Sequence, residues 1–155
     1  MFVLIVGCGR VGSAIAKRMV REGHEVSVLD ESEEAHALLD HDLEQGFEDS
    51  GGRFTVGTAL EVEALYEAGI ERADVVVCST DGDNTNIVVA QIARKQFQVP
   101  KVVVRVLDPY RADWYRQQGL QTVCPTQVAI EMLTEAVIGT ESSSANGAAT
   151  QEAEL

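Results

Sequence analysis

Residues 2–12 read FVLIVGCGRVG, which is a fully apolar run followed at once by a GxGxxG turn. The apolar run is typical of a strand covered on both faces of a parallel sheet. Gly7 allows a tight turn, Gly9 lets the backbone approach a phosphate, and Gly12 lets the next helix pack closely on the strand. A helix predicted over residues 11–22 would point its free N–H groups at that phosphate. GxGxxG alone recurs by chance, but its place between a strand and a helix predicts a nucleotide-binding turn.

An acidic residue closes the second predicted strand, residues 25–29, about 20 residues beyond the glycine turn. This residue, Asp30, is predicted to accept hydrogen bonds from ribose hydroxyls. Its carboxylate would repel a 2′-phosphate, and the acidic Glu31 follows with no arginine nearby, so NADP is disfavoured. The residues do not separate NAD(H) from ATP, ADP or AMP, because all of these present an adenosine and phosphates. Arg10, inside the turn, either meets a terminal phosphate through two hydrogen bonds or is a solvated surface arginine.

Short aliphatic runs alternate with amphipathic stretches along the rest of the chain. Strands are predicted at residues 2–6, 25–29, 53–56, 75–78, 102–106 and 122–124. Helices are predicted at residues 11–22, 60–68, 86–97, 110–118 and 127–138. A further helix is expected after Ser32, which would cap it, with Ala35, Leu38, Leu39 and Leu43 on its apolar face. This alternation predicts an α/β fold of the Rossmann type, a doubly wound parallel six-stranded sheet.

Composition limits the domain organisation and the partners. Residues 1–138 make one domain, whereas residues 139–155 are too polar to form a core and are predicted to be a disordered tail. The 155 residues carry a net charge of −13, and their 12 basic residues are scattered, which argues against a nucleic-acid partner. No apolar run approaches the roughly 20 residues of a membrane span, and no basic leader precedes the first strand. We therefore expect a cytoplasmic protein that does not insert into the membrane.

The cysteines offer no metal or disulfide framework. Cys8, Cys78 and Cys124 form no CxxC pair and no zinc-ligand spacing. They are interpreted as free thiols, with redox activity of one of them as the alternative.

Taken in order, the motifs resemble one family, the nucleotide-binding regulatory domain (RCK N-terminal, KTN or TrkA-N) of Trk and Ktr potassium uptake systems. The resemblance covers residues 1–138. The matching stretches are GCGRVG at 7–12, VSVLD at 26–30, GTA at 57–59, AGI at 68–70, ADVVV at 73–77, residues 80–86, VVRV at 103–106, DP at 108–109, GL at 119–120 and CP at 124–125.

The resemblance implies a regulatory module rather than an enzyme. Domains of this family bind ATP, ADP or NAD(H) and form homodimers. The dimers assemble into a ring on the cytosolic face of a membrane-embedded potassium-translocating subunit, and nucleotide exchange gates potassium transport. The chain is accordingly expected to be a cytosolic nucleotide-sensing regulatory subunit, peripheral to the membrane through its transporter partner.

The resemblance also implies the binding residues. It implies that one set of residues binds the phosphates and the ribose or forms the strand-end loops beside the ligand. These residues are Gly7, Cys8, Gly9, Arg10, Val11, Gly12, Asp30, Glu31, Thr58, Ala59, Cys78, Ser79, Thr80, Asn86 and Arg105. Two of these have structural alternatives: Asn86 could cap its helix, and Arg105 could form an ion pair with Asp74.

This sequence departs from the family in two places. The family has Gly-Asp after the third strand, whereas this chain has Gly57-Thr58, so an acceptor near the adenosine is lost. The family's C-terminal ligand-binding domain is also missing. It lies on another chain, or this is a one-domain member, or the sequence is part of a longer one.

Two other classes of function are weighed against this prediction. A small NAD-dependent oxidoreductase or dehydrogenase fragment is the main alternative, but no Tyr-x-x-x-Lys pair occurs, since Trp114 follows Tyr110 and Gly119 follows Tyr115 at that spacing.

A metal-binding protein is the other class. It would use His36 and Asp40, at i and i+4, with His41. We expect these to be solvated helix-face residues and predict no metal site.

Overall fold

Six parallel strands form one sheet in the order β3-β2-β1-β4-β5-β6. In the computed structural model, which describes residues 1–139, the central strand is β1, and Ile5 pairs with Val28 on one side and Val77 on the other. The predicted Rossmann-type, six-stranded parallel sheet is confirmed. The strands are β1 (Phe2–Val6), β2 (Glu25–Asp30), β3 (Gly52–Val56), β4 (Val75–Cys78), β5 (Lys101–Arg105) and β6 (Gln121–Val123).

Helices connect the strands on both faces of this sheet. They are α1 (Arg10–Arg21), α2 (Ala37–Asp40), α3 (Val62–Glu67), α4 (Asp83–Lys95), α5 (Pro109–Gln117) and α6 (Pro125–Ile138), with 3₁₀ turns at Glu33–His36 and Ile70–Arg72. Two of them start where a proline stands, because a proline in the first turn of a helix gives up no hydrogen bond. The predicted starts at residues 110 and 127 were therefore one and two residues late.

The side chains of β1 alternate between two separate layers of the hydrophobic core, one on each face of the sheet. Leu4 and Val6 pack with α3, α4 and α5 on one face, and Val3 and Ile5 pack with α1 and α2 on the other. All five residues of β1 are buried, as expected for the middle strand of a sheet covered on both sides.

The predicted helix after β2 was wrong in extent. The chain forms a 3₁₀ turn and then only the four residues of α2, and the Ser32 side chain makes no capping hydrogen bond. His41 ends the helix by leaving the helical conformation, with a ψ of 129°, and Asp42 then adopts a left-handed φ of 70°. Of the expected apolar face, Leu39 is fully buried whereas Leu38 is exposed.

The last helix, α6, contributes nothing to the core. It follows β6 directly, and none of its 14 residues is buried. The predicted disordered tail, residues 139–155, lies outside the described residues except for Gly139.

Candidate functional site

A cleft of about 680 Å³ opens at the carboxyl ends of β1, β2, β4 and β5. The connection from β1 turns to one face of the sheet, and the connection from β4 turns to the other, so the strand order reverses between them. Open parallel sheets have their ligand crevice at such a point, because the two connections diverge there. The cleft is therefore the candidate functional site of this fold.

The glycine turn forms the floor of the cleft and is tightly packed. Gly7 has a φ of +102° and donates its N–H to Leu29 O at 2.8 Å. A Cβ on Gly7 would lie 2.6 Å from Thr80 N, and one on Gly12 would lie 1.8 Å from Gly7 O. A Cβ on Gly9, in contrast, would have nothing within 4 Å. The turn thus presses α1 against the strand while leaving open space above Gly9, where the first free N–H groups of the helix emerge.

Asp30 connects the end of β2 to this turn. Its Oδ2 accepts the N–H of Cys8 at 2.7 Å, and its Oδ1 accepts the N–H of Ser32 at 2.9 Å. A carboxylate offers about four lone-pair positions, so acceptor capacity remains on the side that lines the cleft.

A compact polar cluster closes the opposite wall, where β4 and β5 end. Asn86 receives hydrogen bonds from Thr80 N and Oγ1 and donates from Nδ2 to the carbonyls of Thr80 and Arg105. Arg105 donates from Nη2 to Thr80 O, while its buried Nε–H has no partner among the described residues. A buried guanidinium nitrogen without an acceptor is costly. The Arg105 side chain also lines the cleft, where a guanidinium can bind an anionic group.

The match to known families follows this geometry. The TrkA-N domain family model matches residues 3–126. The chain belongs to the TrkA-N domain family.

Curated relatives of this TrkA-N domain are potassium uptake proteins by name. It is 39% identical over 123 residues to the Trk system potassium uptake protein TrkA of Streptomyces coelicolor, covering 79% of this chain and 52% of that protein. It is 29% identical over 125 residues to the TrkA homolog of Methanothermobacter thermautotrophicus, covering 79% and 53%. The chain thus spans about half the length of these relatives.

Solved structures share the fold at lower identity. A Shewanella denitrificans Kef C-terminal domain in AMP-bound form matches at 23% identity with a TM-score of 0.71, covering 92% of this chain and 84% of that one. GsuK bound to ADP matches at 23% with a TM-score of 0.72, covering 90% and 34%. The GsuK channel bound to NAD matches at 23% with a TM-score of 0.70, covering 88% and 23%.

Most residues predicted for the site line the cleft of this TrkA-N domain. They are Gly7, Cys8, Gly9, Arg10, Val11, Asp30, Glu31, Thr58, Ala59, Ser79, Thr80 and Arg105. Three others do not line it. Gly12 packs under the turn, Cys78 lies fully buried in the core, and Asn86 lies one layer behind the wall.

Both structural alternatives for the β4–β5 wall are wrong. Asp74 accepts the N–H of Phe2 at 2.7 Å, and Arg105 donates to Thr80 O instead of pairing with Asp74. Asn86 is not a helix cap, because α4 begins one turn earlier at Asp83, with Gly82 at the N-cap position. Its side chain instead fixes the conformation of the loop at Thr80.

The sequence-based prediction missed several residues of the cleft wall. They are Val6, Leu29, Ser32, Ala35, Gly57, Leu60, Asp81 and Thr85. Val6 and Leu29 end predicted strands and Gly57 directly follows one, so adjacency along the chain was an available signal for these three. Ala35 could not be found that way, because the 3₁₀ turn that carries it was predicted as part of a longer helix.

Two thiols near the cleft are held in the neutral form. Burial, with a smaller contribution from the Asp30 carboxylate, raises the pKa of Cys8 to about 12, and burial raises the pKa of Cys78 to about 12. The thiolate is the nucleophilic form, so both are unreactive thiols near neutral pH. All three cysteines, including Cys124, are buried and free of disulfides.

No helix among residues 1–139 is long and apolar enough to cross a lipid bilayer.

Proposed function

We propose that this TrkA-N domain is a nucleotide-sensing regulatory module of a potassium uptake transporter. The observation that carries the proposal is the joining, in one cleft, of the glycine turn, the Asp30 carboxylate and the Arg105 guanidinium. The glycine turn suits a diphosphate, the Asp30 carboxylate suits a ribose, and the Arg105 guanidinium suits a further anionic group. Potassium uptake is supported by the names of the curated relatives. Those relatives are longer proteins, and the match covers about half of their length.

The ligand is an adenine nucleotide or NAD(H), and NADP is disfavoured. In this proposal the adenosine ribose would lie at Asp30, which lines the cleft, and its phosphates above Gly9, where a Cβ would meet nothing within 4 Å. Arg10 and Arg105 approach the phosphates from two sides of the cleft. A 2′-phosphate would meet the carboxylates of Asp30 and Glu31. Binding of AMP, ADP and NAD by three structures of the same fold supports this ligand class.

The domain binds nucleotide without transforming it, and its partner is a membrane-embedded potassium-translocating subunit. It acts from the cytoplasm as a homodimer that assembles into a ring against that subunit. Two nucleotides can gate transport only if they favour two conformations of the ring differently. To move a two-state equilibrium from 1:99 to 99:1, a ligand must bind one state about 10⁴-fold more tightly than the other. The two nucleotides must therefore make different contacts in the two conformations.

The proposal is tested by thermal unfolding of the purified domain with AMP, ADP, ATP, NAD, NADH and NADPH at equal concentration. A ligand that binds only the folded state raises Tm by an amount that grows with its concentration over Kd. We expect at least one of the first five to raise Tm and NADPH to raise it least. Adenosine is added to the panel as a ligand without phosphate. Arg105→Met should reduce the Tm shift for the phosphate-bearing ligands and leave any shift by adenosine unchanged. The absence of any shift would remove the proposed signal input.

A parallel assay separates the module from an oxidoreductase. The domain is incubated with NADH and a panel of small carbonyl compounds, and the absorbance of NADH is followed. We expect no turnover. Sustained oxidation of NADH that Asp30→Ala abolishes would contradict the proposal and favour an enzyme.

A further inference from the structure

Three potential metal ligands meet on the far side of the 3₁₀ turn from the cleft. His36 ends that turn, Asp40 ends α2, and Glu48 lies in the connection to β3. One ligand atom from each lies within 4.8 Å of the other two. We propose that His36, Asp40 and Glu48 bind a zinc ion. The grouping replaces the one considered from the sequence, because His41 turns away and pairs with Asp42 at 2.8 Å.

The backbone around the cluster is fixed by buried contacts. Asp40 Oδ1 accepts the N–H of Phe47 at 3.0 Å, and the Phe47 side chain is fully buried. Glu48 follows Phe47 directly, so the buried Phe47 side chain and its backbone hydrogen bond also fix the position of the Glu48 backbone. The His36 ring packs edge-on against Phe54 at 5.2 Å between centroids. The three side chains therefore start from positions that the core determines, and only their outer atoms need to move.

The charges of the cluster are unbalanced. Glu48 Oε1 lies 2.6 Å from His36 Nε2, and Asp40 Oδ2 lies 3.5 Å from His36 Nδ1, beyond normal hydrogen-bond length. Among the described residues, these two carboxylates have no ion-pair partner other than that imidazole.

Two basic side chains of α1 that reach this segment do not correct the imbalance. Lys17 and Arg21 of α1 reach the same segment but donate to the backbone carbonyls of His41 and Asp42. Two carboxylates thus share one imidazole, and a divalent cation would neutralise both.

The ligand set suits zinc. One imidazole nitrogen, two carboxylate oxygens and a water give the three-plus-one coordination of open zinc sites, with Zn–N and Zn–O distances of about 2.0–2.2 Å. Tetrahedral ligands at such distances lie about 3.4 Å apart. The three side chains are partly exposed, and Glu48 faces Nε2 of His36 whereas Asp40 faces Nδ1. Zinc would bind one of these nitrogens, so the carboxylate at the other nitrogen has to rotate towards the ion. Glu48 gives up its direct contact with His36 and meets the imidazole through the metal.

The ion would stiffen one wall of the nucleotide cleft. Ala35, next to His36, lines the cleft, and its carbonyl accepts a hydrogen bond from Cys8 Sγ at 3.4 Å. Zinc would tie the 3₁₀ turn that carries Ala35 to the segment between α2 and β3. The site does not depend on the nucleotide proposal, because none of its three ligands lines the cleft.

The test is a calorimetric titration of zinc chloride into EDTA-treated protein from which any affinity tag has been removed. We expect one ion per chain and at least tenfold weaker binding for His36→Gln and for Glu48→Gln. The matched control is His41→Gln, which removes an exposed histidine five residues from His36 and should bind as the unaltered protein does. Equal affinity in the two histidine variants, or no saturable binding, overturns the proposal.

A second measurement does not depend on any variant. The imidazole resonances of the three histidines are followed by NMR as zinc is added to the unaltered protein. Selective perturbation of His36, with His24 and His41 unchanged, supports the site. Uniform perturbation of all three histidines, or an equal response to Mg²⁺, indicates diffuse binding to an acidic surface and overturns it.

Discussion

The Asp30 carboxylate holds the glycine turn in place, since its Oδ2 accepts the N–H of Cys8 at 2.7 Å. The same side chain lines the cleft. It stands at the end of the second strand, where Rossmann folds carry the acidic residue that binds the ribose. One residue therefore shapes the phosphate turn and presents a negative charge to the sugar. A substitution that keeps the hydrogen bond and removes the charge separates the two roles.

Asp30→Asn is expected to weaken the preference for NADH over NADPH by about tenfold or more. The amide oxygen can still accept the Cys8 N–H, whereas the hydrogen bond from Ser32 N–H and the repulsion of a 2′-phosphate are both lost. Titration of both cofactors, followed by their fluorescence, measures the ratio of Kd values. Glu31→Gln, a change of the adjacent exposed carboxylate, should alter the ratio less. An unchanged ratio in Asp30→Asn would show that Asp30 does not face the 2′ position.

Gly12→Ala is expected to destabilise the fold by about 1–3 kcal/mol or more, as overpacked sites do. Its Cβ would lie 1.8 Å from Gly7 O and 2.9 Å from Ser79 Oγ, so α1 would have to move off the strand. Urea denaturation measures the free energy of unfolding.

Gly9→Ala is the matched control for this position, because its Cβ would meet nothing within 4 Å. It should retain most of the stability and instead weaken nucleotide binding, since the added methyl occupies the space above the turn. Equal loss of stability in the two variants would mean that close packing of α1 is not the reason for Gly12.

Local patterns in the sequence were enough to predict the sheet and the glycine turn. The run Phe2–Val6 has one interpretation because a strand buried on both faces needs an unbroken apolar segment. The GxGxxG turn and Asp30 follow from their spacing along the chain, and the structure brings both to one cleft.

Contacts between distant elements were not predictable in this way. The His36–Glu48 contact depends on how the segment after α2 folds back, and nothing local specifies it. The bond from Asn86 to Arg105 O joins α4 to β5 across 19 residues, and the same asparagine fits a helix cap equally well from sequence alone. Side-chain partners across elements are set by the packed core rather than by propensity, which is why the predicted start of α4 and the helix-cap alternative for Asn86 were both wrong.

Asn86→Asp is expected to destabilise the domain by roughly 2–4 kcal/mol, because a buried carboxylate would face the carbonyls of Thr80 and Arg105. Asn84→Asp is the matched control two residues earlier. That side chain is exposed and already accepts from Arg111 Nη2, so a carboxylate suits it. Denaturant unfolding of both variants checks the prediction. A loss below about 1 kcal/mol for Asn86→Asp would show that the loop at Thr80 rearranges easily.

The stability of the domain is expected to fall at alkaline pH, partly through Cys78. Burial raises the pKa of this thiol from 9.0 to about 12, so the folded state keeps its proton where the unfolded state loses it. The contribution of this thiol to the free energy of unfolding is complete below pH 9 and declines as the pH rises towards 12. The free energy of unfolding then falls by at most about 1.4 kcal/mol per pH unit through this group. Urea midpoints between pH 8 and 10.5 measure the slope for the unaltered protein and for Cys78→Ala. Lysine and tyrosine titration affects both proteins alike, so the difference in slope isolates the thiol. Parallel curves would mean that the Cys78 thiol ionises in the folded state as readily as in the unfolded chain.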